Sequence, residues 1–292
     1  MIKMNNVAAV IVAYNDYDSV RRCIDSLENQ IKYVCVIDNS TIIDKFYHEN
    51  KNIKYFKNDE NVGLGRALNK GIKEFQNYDI DWIMLLDQDS ILDKNMVNEL
   101  LNSYKSSSDE NIVQIVPNVY DNNTNKYLPS LIYKGILLKK IFYPHKDTYI
   151  DFQITSGSLI KKDLFNQIGY MDEYFFIDYI DYDYCFRIRN NGYKILLSKN
   201  AILNHSLGEK NTKFGIPYVQ HSNIRIFYQV RNRLILIKRY GKSFPSFAIT
   251  QFRNLILKFL KIIFLEDDKK IKIKNFIYGL FMGIKYSEKI NK

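Results

Sequence analysis

The chain has 292 residues, 46% of them hydrophobic and 25% charged, a balance ordinary for one large globular domain or a domain plus an extension. That composition excludes a disordered chain, and 12 Gly with 5 Pro exclude collagen-like and flexible-linker architectures. The net charge of +10 is uneven: residues 1–200 hold 24 basic and 27 acidic residues, whereas residues 201–292 hold 18 and 5. A basic end on a near-neutral body suits an anionic partner surface, either a membrane or nucleic acid.

In chain order, Val7–Ala13 is a short apolar run rich in β-branched residues, which reads as a buried parallel strand and is too short for a signal peptide. Val20, Cys23, Ile24 and Leu27 fall at helical spacing within 17–28. Tyr33–Ile37 is a second strand ending at Asp38, Ile53–Phe56 a third, 64–76 a helix, and Trp82–Leu86 a fourth strand ending at Asp87. Further on, Ile112–Val116 reads as a strand, 126–143 as a hairpin, Lys161–Gln167 and Tyr179–Asn191 as helices, and Lys194–Leu197 and Ala201–Leu203 as strands. From about 220 the pattern is entirely helical, and no run of 18 apolar residues suggests a membrane span. Cys23, Cys35 and Cys185 form neither a disulfide framework nor a zinc spacing, which favours a reduced, cytosolic setting.

Strand–helix alternation predicts an α/β fold with a parallel sheet flanked by helices, and such sheets bind ligands beyond the carboxyl ends of their strands. Asn15, Asp38 and Asp87 stand at three of those ends. Asp87-Gln88-Asp89 places two carboxylates at i and i+2, a pattern that holds a hard divalent cation or forms a solvated turn. Asn61-Val-Gly-Leu-Gly-Arg-Ala-Leu-Asn-Lys-Gly71 is not a dinucleotide fingerprint: Leu68 takes the third glycine position, and the first strand–helix turn has no Gly. Its glycines fit a helix start close to a nucleotide, or a plain turn. Asp178, Asp181 and Asp183 cluster on the predicted helix; Asp183 can pair with Arg187, while Asp178 and Asp181 share a face. Asp181, among Phe175, Phe176 and Tyr182, suits a general base.

These segments, in this order over about 200 residues, resemble the inverting family-2 glycosyltransferases of the GT-A fold. The match runs from Val10–Asn15 through Val36–Asn39, Asn61–Gly71, Leu86–Ser90 and Thr155–Gly157 to Tyr179–Arg187 and Gly192-Tyr193. Leu-Asp-Gln-Asp-Ser90, Phe-Phe-Ile-Asp-Tyr179, Asn204-His-Ser-Leu-Gly208 and Tyr228-x-x-Arg231-Asn232 resemble the bacterial rhamnosyltransferase branch. The resemblance implies a Rossmann-like, mostly parallel sheet flanked by helices, with a catalytic domain at 1–205 and a basic helical extension at 206–292. It implies that Ala13, Asn15, Asp38, Gly65 and Asp87 serve the donor nucleotide. Asp89 and His205 would hold Mg²⁺ or Mn²⁺, although a histidine after a strand is equally a structural residue. Asp181 takes the catalytic-base position with Ile180 in place of the family's preceding Glu, Asp178 is the reserve, and Ser156, Gly157 and Arg231 act as acceptor contacts or supports.

The expected reaction is inverting, metal-dependent transfer from a nucleotide sugar, foremost L-rhamnose from dTDP-L-rhamnose, onto a lipid-linked glycan of a bacterial surface polysaccharide such as capsule or O-antigen. The alternatives are the same fold with a UDP-hexose or UDP-galactofuranose donor, a sugar-1-phosphate nucleotidyltransferase, or a non-catalytic nucleotide-binding protein. Phe252, Leu255, Ile256, Phe259 and Ile263 at helical spacing, with Lys269, Lys270, Lys272 and Lys274 after them, form basic amphipathic helices that suit a membrane interface or packing on the body. The remaining expectations are a cytoplasmic location, peripheral on the inner face of the cell membrane, no nucleic-acid partner, and room for a homodimer.

Overall fold

The computed structural model describes residues 6–41, 52–205, 210–213 and 216–287. Along these the chain runs β1 (Val7–Ala13), α1 (Tyr17–Leu27), β2 (Tyr33–Asp38), β3 (Ile53–Lys57), α2 (Leu64–Glu74), β4 (Trp82–Asp87), β5 (Ser90–Leu92), α3 (Met96–Ser106), β6 (Ile112–Asp121) and β7 (Lys126–Tyr127). It continues with β8 (Ser130–Lys134), β9 (Leu137–Ile141), β10 (Thr148–Ile150), β11 (Ser158–Lys161), α4 (Leu164–Ile168), α5 (Ile180–Asn190), β12 (Lys194–His205), β13 (Lys210–Lys213), β14 (Ile216–Val219), α6 (Asn223–Tyr240), α7 (Pro245–Phe264) and α8 (Lys269–Lys285).

The main sheet follows the order β3-β2-β1-β4-β11-β6-β12-β10. Strands β1 to β4 pair in parallel, β11 enters antiparallel between β4 and β6, and β12 runs parallel to β6. Period-two alternation splits β1 between the two faces. Ala8 and Val10 join the core beneath α2 and α5, while Val7, Ala9, Ile11 and Ala13 join the core beneath α1 and α3. The result is a mixed α/β layer structure in which β1, β2 and β4 end on the same side, and their terminal residues begin the candidate site.

Several sequence expectations shift. The strands at 194–197 and 201–203 are one strand, β12, whose register slips between Leu197 and Ile202. Lys161 closes β11, so the helix foreseen from 161 is only α4. The hairpin within 126–143 is the β8–β9 pair, and β13–β14 adds a second hairpin before the helical region. Tyr179 has φ +69°, so α5 starts one residue later than expected, and Asp178 (φ +64°) lies outside it. Asp178 therefore does not share a helical face with Asp181.

Candidate active site

The Asp-Gln-Asp turn joins β4 to β5, and its middle residue anchors it. Gln88 accepts a hydrogen bond from the Tyr14 backbone N at 2.6 Å and returns one from Nε2 to the Tyr14 carbonyl at 3.2 Å. The turn after β4 is thereby tied to the end of β1. Asp89 Oδ1 lies 3.4 Å from His205 Nδ1 at the end of β12, and Ser90 Oγ lies 3.2 Å from the same nitrogen. One ligand atom each from Asp87, Asp89 and His205 fall within 4.8 Å of one another.

Burial pushes the Asp87 carboxyl up to about 6; His205 opposes that shift, while Asp89 and Asp181 add to it by like charge. Asp89 is raised for the same first reason. Two half-buried carboxylates close together are the donor set a hard cation stabilises, and His205 adds a nitrogen as a third ligand atom.

The 155–157 segment links this set to Asp181. Ser156 Oγ accepts from the Asp87 N at 2.9 Å and lies 2.7 Å from Ser90 Oγ. Gly157 takes φ +79°, and a β-carbon there would meet Leu203 at 2.9 Å and Pro117 at 3.0 Å, so a side chain has neither the conformation nor the space. Thr155 donates its N–H to Asp181 Oδ1 at 3.1 Å. Asp181 sits in the first turn of α5, and burial raises its carboxyl above the ordinary range despite that hydrogen bond. A raised carboxylate pKa makes a stronger base once the proton is off, which is the property proton removal from a hydroxyl needs.

The remaining expected residues fall into two groups. Ala13 and Asn15 end β1 beside the turn: Ala13 is buried and its carbonyl accepts from Asn39, while Asn15 (φ +55°) is laced to Ser40 and Thr41. Asp38 is fully buried, with its oxygens taken by Tyr17, Tyr55 and the Ser40 N–H. Burial works against its charge, but the hydrogen bonds from Ser40 and Tyr55 outweigh it and hold the carboxyl below its usual range. Asp38 is thereby tied to α1, to β3 and to the Ser40 backbone at the end of β2. At Gly65 a β-carbon would meet the Asp172 carbonyl at 2.9 Å. The glycines of 61–71 serve protein–protein packing: Gly63 (φ +85°) and Gly65 admit loop 172–176, and Gly71 admits Val10 of β1.

Asp178 is bound by Arg225 of α6 through two 2.9 Å hydrogen bonds, a pairing that does not suit a reserve base. The expected Asp183–Arg187 pair forms at 2.9 Å, but Asp183 is buried and also binds Arg239 and Tyr240. Arg231 is buried as well, stacked over Tyr174 and Tyr228 while donating to the Tyr174 carbonyl. Sequence reasoning missed Gln88 and Arg225. Gln88 was visible as the middle of the Asp-x-Asp turn. Arg225 had no local signal, yet it lies near enough to Asp87 for each to feel the other's charge.

A sheet of this order with carboxylates and a histidine converging beyond its strand ends is the architecture of the GT-A glycosyltransferases, and solved structures agree. GalNAc-T7 with UDP, GalNAc and Mn²⁺ superposes with a TM-score of 0.61 at 14% identity, over 96% of this chain and 57% of that larger protein. Residues 1–349 of TarS from S. aureus superpose with a TM-score of 0.58 at 13% identity, over 94% of this chain and 81% of that one. The family model for glycosyl transferase family 2 matches residues 8–169. The dTDP-rhamnosyl transferase RfbF of Shigella flexneri is 31% identical over 244 residues, 80% of this chain and 81% of that protein. The low-salt glycan biosynthesis hexosyltransferase Agl10 of Haloferax volcanii is 22% identical over 96% of this chain and 92% of its own. The chain belongs to glycosyl transferase family 2 and is a glycosyltransferase.

Proposed function

We propose that this enzyme transfers L-rhamnose from dTDP-L-rhamnose, with inversion, to a lipid-linked glycan of a bacterial surface polysaccharide such as capsule or O-antigen. The observation that carries the reaction type is the linkage of Asp181, through Thr155 and Ser156, to the Asp87–Asp89–His205 set. The 31% identity to a dTDP-rhamnosyl transferase supports the donor. A UDP-hexose or UDP-galactofuranose donor is the second reading, favoured by the hexosyltransferase relative.

Asp87, Asp89 and His205 would hold Mg²⁺ or Mn²⁺, which when bound neutralises charge on the departing nucleoside diphosphate. Ala13, Asn15, Asp38 and Gly65 would serve the donor nucleotide at the ends of β1 and β2 and the start of α2. Asp181 takes the proton of the acceptor hydroxyl as that oxygen attacks the anomeric carbon, and the bond to the diphosphate oxygen breaks on the opposite face. A single displacement inverts the configuration. Proton removal of this kind contributes about 10²–10⁴-fold, so Asp181→Asn should lose that much turnover while keeping nucleotide affinity. The test is release of nucleoside diphosphate from dTDP-L-rhamnose, UDP-glucose, UDP-galactose and UDP-galactofuranose by wild type and Asp181→Asn. Preferred turnover of a UDP-sugar moves the donor to the second reading, and wild-type rates in Asp181→Asn remove Asp181 from the chemistry.

Residues 1–205 would form the catalytic part, and 206–292 a basic part that meets the inner face of the cell membrane. Ile249, Phe252, Ile256, Leu260 and Phe264 are exposed at helical spacing along α7, and Ile271, Ile277, Phe281 and Ile284 along α8. Arg253, Lys269, Lys270, Lys274 and Lys285 interleave with them. Among the described residues no helix is long and apolar enough to cross a membrane, and these faces suit one that lies in the interface beside a lipid-linked acceptor.

A further inference from the structure

We infer that Asn232 is a positioning residue for the transfer step: by holding the turn Ile177–Tyr179 from α6, it sets where Asp181 stands relative to the Asp87–Asp89 turn. The inference rests on the reading of Asp181 as the base.

The turn is unusual in its backbone. Asp178 and Tyr179 are consecutive non-glycine residues with φ of +64° and +69°, and α5 begins at the next residue. Left-handed backbone at such residues is costly and persists only where its surroundings over-determine it. Here α6 grips each residue of the turn. Asn232, fully buried, donates from Nδ2 to the carbonyls of Ile177 at 2.8 Å and Asp178 at 3.0 Å. Its Oδ1 accepts from Arg231 Nε at 2.9 Å, which fixes the orientation of the amide. Arg225 holds the Asp178 carboxylate with two hydrogen bonds, and Arg233 Nε donates to the Tyr179 hydroxyl at 2.5 Å.

The approach to the turn is fixed from the other side by α2. Leu64 donates its N–H to the Phe176 carbonyl at 2.7 Å, Gly63 lies against Phe176, and Asn69 exchanges hydrogen bonds with the Met171 backbone. The glycine-rich segment 61–71 and the Tyr228–Asn232 segment, far apart in the chain, thus meet on one loop. That loop delivers Asp181, two residues beyond Tyr179. Asn232 touches no reacting group, so its effect on turnover passes through the base.

The experiment compares wild type, Asp181→Asn, Asn232→Asp and the double variant, using whichever dTDP-, UDP- or GDP-sugar the wild type turns over, with Mn²⁺. Asn232→Asp keeps size and the Arg231 contact but removes both donated hydrogen bonds. Nucleotide affinity with Mn²⁺ should stay within about threefold, while turnover falls on the order of 10–100-fold, the scale of a misplaced catalytic group. The double variant should be no slower than Asp181→Asn alone, because a group that acts through Asp181 has nothing left to position.

Wild-type turnover in Asn232→Asp, a full extra loss in the double variant, or nucleotide affinity lost in step with turnover would each overturn the inference. If Asn232→Asp does not purify folded, Arg225→Gln removes the more exposed half of the same clamp and should show the same non-additivity. Wild-type turnover in Asp181→Asn, or no turnover of any sugar by wild type, would instead sink the reading of the base, and the inference with it.

Discussion

At the scale of single residues, the site is a set of carboxylates whose burial is set against their charge. Asp87 illustrates the consequence. Its proton is held up to about 6, above the ordinary aspartate value, because burial and then the like charges of Asp89 and Asp181 outweigh His205. A cation and a proton compete for that oxygen, so Mn²⁺ binding should weaken as pH falls below about 6. In the metal-free enzyme the sign for stability is the opposite of a salt-bridged aspartate. The folded state binds the extra proton, so Asp87 costs stability as pH rises from the unfolded value towards about 6, and bound metal removes that cost. The thermal shift induced by Mn²⁺ should therefore be larger at pH 7.5 than at pH 5; equal shifts would place the metal away from Asp87.

Legibility at this scale was partial. Asp87 and Asp89 could be marked because carboxylates directly after a strand stand out, Asp181 because it lies in an acidic cluster among aromatics, and His205 through the family resemblance; the structure brings Asp87, Asp89 and His205 within one cluster. Asp38 stood out just as clearly and proved to be buried under two tyrosines, Tyr17 and Tyr55, that arrive from α1 and β3. A strand end tells where a carboxylate sits; it does not tell what else reaches it.

At the scale of elements, buried strands were the most legible features. β1, β2 and β4 announce themselves as apolar runs because both faces of a parallel sheet are covered. The antiparallel β11 was not, since Ser158–Lys161 is too short for a period, and β12 was read as two strands because Ser198–Asn200 interrupts its apolar pattern. The glycine pattern at 61–71 was conspicuous but ambiguous, because close approach of backbone to a nucleotide and close approach of backbone to protein need the same missing side chain. Gly71 gives a direct check. A β-carbon there would come within 2.3 Å of Val10 Cγ1 in the centre of the sheet, so Gly71→Ala should destabilise by about 1–3 kcal/mol through overpacking. Thermal melting measures it, and an unchanged melting point would mean that α2 can lift off β1 at no cost.

At the scale of the whole molecule, the uneven charge and the exposed apolar faces coincide at the C-terminal helices. α6 is turned inward, supplying Arg225, Asn232 and Arg233 to the loop before α5, while α7 and α8 leave apolar rows in solvent. Single exposed apolar residues are commonplace, but rows at helical spacing laced with lysine mark an interaction surface. Sedimentation with vesicles should show binding to phosphatidylcholine–phosphatidylglycerol mixtures that salt weakens and that Phe252→Ser with Ile256→Ser abolishes. Equal recovery of wild type and variant would assign that face to another partner, such as a second copy of the chain.

The most direct test of the central claim, a metal-dependent nucleotide-sugar site at the ends of β1, β4 and β12, needs no acceptor. It is calorimetric titration of the purified enzyme with dTDP, UDP and GDP, each with Mn²⁺ and each with EDTA, alongside Asp89→Asn. The account predicts that dTDP binds most tightly with Mn²⁺ and that EDTA or Asp89→Asn removes the binding. Tight binding of a nucleotide that ignores both EDTA and Asp89→Asn, or no binding of any of the three, would contradict it.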